Sequence, residues 1–259
     1  MARPSGWTRS RFRNILRPSP NDNDTFRNNP NEWHEGGQPE LIDLNEGHLV
    51  LMKSNRDLYG NAPDKSDIVL LLIDVINDFE FAGGAELFRN ALPVAKSIAR
   101  LKERARRAGV PVIYANDNFG RWRSDFNKIV QHCLRDRVRG EPIAKLLKPD
   151  EDDYFVLKPK HSGFFSTTLD LLLEYLGART LILTGIAGNN CVLFTANDAY
   201  MRDYKLLIPA ECTASISQID NENALRQMQE VLKADIRSSA EITFGAASQT
   251  SEQTQAAHL

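Results

Sequence analysis

Six consecutive residues, Ile68-Val69-Leu70-Leu71-Leu72-Ile73, are aliphatic, and the next is an aspartate. A strand with one face in water alternates apolar and polar side chains, whereas an unbroken β-type run marks a strand covered on both faces. Such a strand needs helices above and below it, which restricts the chain to a sheet buried inside an α/β arrangement.

The rest of the sequence supplies those helices. Val94, Ile98, Leu101, Ala105 and Ala108 recur at helical spacing between Pro93, a favoured first-turn residue, and Gly109, a favoured stop. Pro111–Ala115 reads as a second strand, Tyr154–Leu157 as a third, Leu181–Thr184 as a fourth and Leu206–Pro209 as a fifth. Leu169, Leu172, Leu173 and Leu176 form a helical stripe closed by Gly177; the segment from Cys191 to Arg202 is helical, and Ala224, Met228, Val231 and Leu232 mark a last helix. Strands alternating with helices pair in parallel through right-handed crossovers, so the expected fold is a doubly wound, Rossmann-like three-layer sandwich. Ligands of such folds bind beyond the carboxyl ends of the strands.

Residues 1 to 45 lack hydrophobic periodicity and read as a disordered or extended arm; 46–245 are expected to fold, and 246–259 to fray. Arg3, Arg9, Arg11, Arg13 and Arg17 precede the first acid, Asp22, a composition shared by transit peptides and by solvated or partner-embracing arms. A net charge of −2 provides no field to attract nucleic acid, and no apolar run approaches the ~20 residues that span a bilayer. Cys133, Cys191 and Cys212 are an odd set without CxxC spacing, which argues against a disulfide framework or zinc ribbon and fits a reducing cytoplasm.

Three polar residues stand where a buried strand ends. Asp74 follows the aliphatic run; a carboxylate there is either a helix cap or an acid–base group with a shifted pKa. Asp78 reads as a cap. Lys158 comes directly off the third strand and could hold a carboxylate and a thiolate charged; Lys160 is its rival, and a solvated lysine the plainer reading. Cys191 ends the loop Gly185-Ile186-Ala187-Gly188-Asn189-Asn190 and opens a helix, whose free N–H groups favour a thiolate and can hold an oxyanion. Cys133 and Cys212 read as small buried hydrophobes.

These segments, in this order, resemble the isochorismatase-like cysteine hydrolase family: Asp74 to Phe79, Lys158 to Phe164, and Thr184 to Val192 with Thr195, Ala196, Asp198 and Ala199. The likeness covers roughly residues 66 to 240. It implies a six-stranded, mostly parallel sheet, a catalytic triad of Asp74, Lys158 and Cys191, and a non-proline cis peptide at Ile186-Ala187. It further implies an oxyanion hole from the N–H groups of Ala187 and Cys191, and a thioester intermediate hydrolysed by water that Asp74 activates.

Retention of Cys191 points to amide, ureido or carbamoyl C–N bonds, because vinyl-ether-cleaving isochorismatases lack the cysteine. After the second strand, Asn116 to Arg123 contains no histidine, so no metal and no cofactor are expected. Asp117 there reads as a turn residue or a pocket group. Arg121 and Trp122, with Arg123 beside them, read either as a site for a planar, carboxylate- or carbonyl-bearing small molecule or as a solvated loop. Phe79, Trp122 and Phe164 are the expected pocket walls, and a homo-oligomer is expected. Three other readings stay open: a regulatory receiver module, a catalytically silent binding scaffold, and a vinyl-ether hydrolase.

Overall fold

The computed structural model describes residues 65–120 and 125–244, with the backbone of two short strands at 41–44 and 48–51. The chain divides into two units, 1–59 and 60–259. In the first, β1 (Leu41–Leu44) pairs antiparallel with β2 (His48–Leu51), Leu41 opposite Leu51. The transit-type stretch and the 246–259 tail lie outside the described residues.

In the second unit the aliphatic run is β3 (Ile68–Ile73), followed by α1 (Gly84–Arg107) and β4 (Val112–Asp117). Then come α2 (Phe126–Arg135), α3 (Glu141–Leu146), β5 (Tyr154–Lys158), α4 (Leu169–Leu176) and β6 (Thr180–Ile186). A single π-helical turn at Gly188–Val192 leads into α5 (Leu193–Tyr200), and the unit ends with β7 (Lys205–Leu207), β8 (Thr213–Ala214) and α6 (Gln218–Glu230). The strands lie in the order β5-β4-β3-β6-β7, and β8 extends the ladder beside the end of β6. Every pairing in this six-stranded sheet is parallel.

The aliphatic run serves two cores. Leu70 and Leu72 pack with α1, α2 and α3 on one face, while Val69, Leu71 and Ile73 pack with α4, α5 and α6 on the other. Side chains alternate across a strand, so a run apolar at every position is what this central place requires. The three layers follow directly.

Helix α1 starts nine residues before the expected Pro93, which lies inside it. Leu87 and Ala91 are buried and carry the apolar stripe backwards. An internal proline forfeits one hydrogen bond and costs ~3 kcal/mol. Burying one leucine recovers a similar amount, about 1.5–3 kcal/mol, so the extra turns survive. The helix expected from Cys191 to Arg202 is likewise a π turn followed by a shorter α-helix ending at Tyr200.

At the carboxyl edge β6 lies against the end of β3, with Gly185 opposite Ile73. Gly185 has φ +116, and a Cβ there would fall 2.1 Å from the Ile73 carbonyl oxygen. Only glycine lets the cysteine loop leave the sheet alongside Asp74.

Candidate active site

Asp74 is the first residue beyond β3, and its left-handed backbone (φ 53) turns the chain out of the sheet while its N–H still donates to the Ala115 carbonyl at 3.0 Å. Fully buried Asn116 secures the next residues: its side chain accepts from the Ile76 N–H at 3.2 Å and donates to the Ile76 carbonyl at 3.0 Å. One Asp74 oxygen accepts the Asp117 N–H at 2.6 Å, and the other lies 2.8 Å from Lys158 Nζ.

Lys158 ends β5 with a side chain that has no exposed surface. Its Nζ meets Asp74, donates to the Lys160 carbonyl at 3.3 Å and to Cys191 Sγ at 3.5 Å, and lies 3.6 Å from Asp117 Oδ2. The exposed Lys160 adds only that carbonyl. Asp117 plays both parts weighed for it: Oδ1 caps the Phe119 N–H at 2.5 Å in a turn, and the carboxylate borders the ammonium.

Cys191 is carried on the π turn after β6, and the peptide between Ile186 and Ala187 is cis. The loop is held from behind: Asn189 N–H donates to Ser215 Oγ at 3.0 Å, and Ser215 Oγ donates to Asn221 Oδ1 at 3.0 Å. The structure thus brings Asp74, Lys158 and Cys191 together from three strand ends.

Burial raises the Asp74 carboxyl above its ordinary value, with the Lys158 charge opposing that rise. Burial also pushes the Cys191 thiol up to about 12, Asp74 adding to the effect and Lys158 countering it. Lys158 is shifted the other way: burial would lower it, but Asp74 and then Cys191 hold it charged, and the net direction is up. A thiol that keeps its proton therefore faces a carboxylate with raised proton affinity, the two bridged by an ammonium.

One expected pocket wall lies in the core away from Cys191. Phe79 is fully buried, its ring edge-on to Phe88 at 5.6 Å in the α1-side core, because its left-handed backbone (φ 59) turns it inward. Phe164 is 5% exposed and packs against Tyr204 and the Arg202 guanidinium in the opposite core, the one that also includes Cys191. Arg121, Trp122 and Arg123 lie outside the described residues. Sequence reasoning passed over His161, whose Nδ1 lies 4.0 Å from Cys191 Sγ, and Phe194, whose ring it meets at 5.3 Å. Among the described residues no three His, Cys, Asp or Glu side chains are grouped to hold a metal ion. Nor does any described helix have the length and apolarity to cross a membrane.

Residues 69–241 match the isochorismatase domain family, and the chain belongs to that family. It is 47% identical over 178 residues to the isochorismatase family protein YaaI of Bacillus subtilis, covering 69% of this chain and 97% of that one. It is 32% identical to the ureidoacrylate amidohydrolase RutB of Methylorubrum extorquens, over 58% of this chain and 71% of the relative. Among solved structures, N-carbamoylsarcosine amidase from Thermoplasma acidophilum superposes with a TM-score of 0.54 at 27% identity, over 68% of this chain and 99% of the other.

Proposed function

We propose that this chain is a cysteine-dependent hydrolase that cleaves an amide, ureido or carbamoyl C–N bond of a small molecule through a thioester. The observation that carries the reading is the contact of Lys158 Nζ with both Asp74 (2.8 Å) and Cys191 Sγ (3.5 Å) at the carboxyl edge of the sheet. The class of substrate is supported by relatives named for ureidoacrylate and N-carbamoylsarcosine.

The resting thiol holds its proton, and Asp74, whose own affinity for protons is raised, accepts it as Sγ attacks the carbonyl. Lys158 remains charged throughout and stabilises whichever of the two carries the negative charge. The tetrahedral oxyanion is assigned to the N–H groups of Ala187 and Cys191. Asp74 then passes its proton to the departing nitrogen, the C–N bond breaks, and water hydrolyses the remaining thioester.

Release of ammonia from ureidoacrylate, N-carbamoyl amino acids and nicotinamide, compared across wild type, Cys191→Ala and Cys191→Ser, tests this reading. Turnover of at least one ureido or carbamoyl compound is expected, falling by roughly three orders of magnitude or more in both variants. Residual activity within about tenfold of wild type would end the covalent route.

A further inference from the structure

Lys158 and Cys191 come off strands that are not neighbours. β4 and β3 lie between β5 and β6, so at the ~4.8 Å spacing of adjacent strands their ends stand about 14 Å apart. The sheet relates the two backbones only through those intervening strands, yet Lys158 Nζ and Cys191 Sγ meet at 3.5 Å. A direct tie exists beyond the sheet.

One side chain makes it. Thr195, without exposed surface, sits one turn after Cys191; its Oγ1 donates to the Cys191 carbonyl at 2.7 Å and accepts the Gly163 N–H at 3.0 Å. A hydroxyl has one proton to give and lone pairs to receive, so both bonds form at once. Bonding the carbonyl four residues back is ordinary for a helical threonine. The second bond is not, because it reaches a different loop. Gly163 closes the segment that opens at Lys158, and within that segment Lys158 Nζ returns to the Lys160 carbonyl at 3.3 Å. The segment is seated tightly, since a Cβ on Gly163 would lie 3.1 Å from Leu169 Cδ2 and 3.5 Å from Thr195 Cγ2. Asp198, three residues on and therefore on the same face of α5, accepts from Ser162 Oγ and holds the segment in parallel.

We propose that Thr195 is a positioning residue that sets the distance between the Lys158 ammonium and the Cys191 sulfur. The role rests on Cys191 being the nucleophile and Lys158 its charged partner. Without the hydroxyl, the buried Gly163 N–H loses its acceptor, and an unpaired buried donor is costly enough to shift the loop that carries it. Lys158 opposes the rise that burial imposes on the thiol pKa, and this influence weakens with separation. A loosened lysine therefore leaves the thiol harder to ionise and its thiolate less well held during attack.

Thr195→Val removes the hydroxyl and nearly keeps the shape. The pH profile of Cys191 alkylation by iodoacetamide, followed by intact-protein mass, is expected to move to higher pH, with labelling near neutral pH slowed about tenfold. Turnover of p-nitrophenyl acetate is expected to fall by about 10–10²-fold in kcat with little change in KM, because the loss is one of alignment. Thr195→Ser, which restores the hydroxyl and lacks only a methyl, is expected to return both to the wild-type range. Should Thr195→Val not fold, Thr195→Ala carries the same expectations. A lowered urea midpoint with an unmoved alkylation profile would make Thr195 a packing residue and overturn the proposal. A shifted profile that serine does not repair would overturn it as well. Labelling needs no substrate, so these outcomes bear on Thr195, whereas a Cys191→Ser variant that still cleaves amides would remove the nucleophile assignment on which the role stands.

Discussion

An ammonium without exposed surface survives only beside compensating charge, and Lys158 has two carboxylates and a sulfur around it. Lys158→Ala is expected to slow iodoacetamide alkylation of Cys191 near neutral pH, because the charge that opposes the rise in thiol pKa is gone. The same change leaves Asp74 buried without its cation, a loss of about 3–5 kcal/mol that chemical denaturation would detect. Lys160→Ala, which keeps the carbonyl that Lys158 uses, is expected to do neither; equal effects from the two substitutions would refute this account of the cluster. Asp74, Lys158 and Cys191 were legible in the sequence because each directly follows or closely trails an apolar run, and strand direction fixes where such residues emerge. Phe79 misled because closeness in sequence to Asp74 does not set the face a loop side chain takes; a left-handed backbone turned it into the other core. His161 gave no local signal at all, since its place depends on ties from Ser162 and Gly163 to α5.

Between elements, His132 on α2 joins two carboxylates: Nδ1 lies 2.8 Å from Asp136 at the end of its own helix, and Nε2 lies 3.3 Å from Asp78 in the loop after β3. Its pKa is raised, by Asp136 first; burial, the next-largest effect, opposes the rise, and Asp78 adds to it. A histidine bound more tightly to its proton in the folded state contributes stability in full below its ordinary value of 6.5 and loses it as pH rises through the raised one. The side chain is 38% exposed, so the effect is modest. His132→Gln is therefore expected to cost up to about 1 kcal/mol at acid pH and close to nothing in alkaline buffer, read from urea midpoints. A cost that grows with pH would reverse the assignment. Asp78, read from sequence as a helix cap, instead closes a loop turn by accepting the Glu80 N–H at 2.9 Å, the N-cap position of α1 being Gly83, and its second oxygen faces this histidine. Elements with an apolar run were readable in this way, down to the three-residue β7, and β8 was not. β8 is two residues that form a strand only because β6 offers them an edge, and α1 outran its proline because tertiary burial outweighed a local signal.

For the molecule as a whole, the family match begins at Val69 and the second compact unit at Gly60. A chain starting at Gly60 is expected to release nitrophenolate from p-nitrophenyl acetate as the full protein does; loss of that activity with an unchanged circular dichroism spectrum would overturn the expectation. The sheet itself is made of distant partners. β3 pairs with β6 along the whole of β3, and Thr184 Oγ1 reaches the Leu71 carbonyl across 113 residues. During synthesis the aliphatic run of β3 leaves the ribosome early, meets α1 and β4 soon after, and has no partner along its other edge until β6 follows. Parallel pairing at such separation is slow, because the entropy of closing the loop is lost before the contacts form. Until then Val69, Leu71 and Ile73 remain uncovered, since the helices that bury them come later in the chain. The strand that places Asp74 is thus also the segment of the folding chain most exposed to aggregation until β6 and its helices arrive.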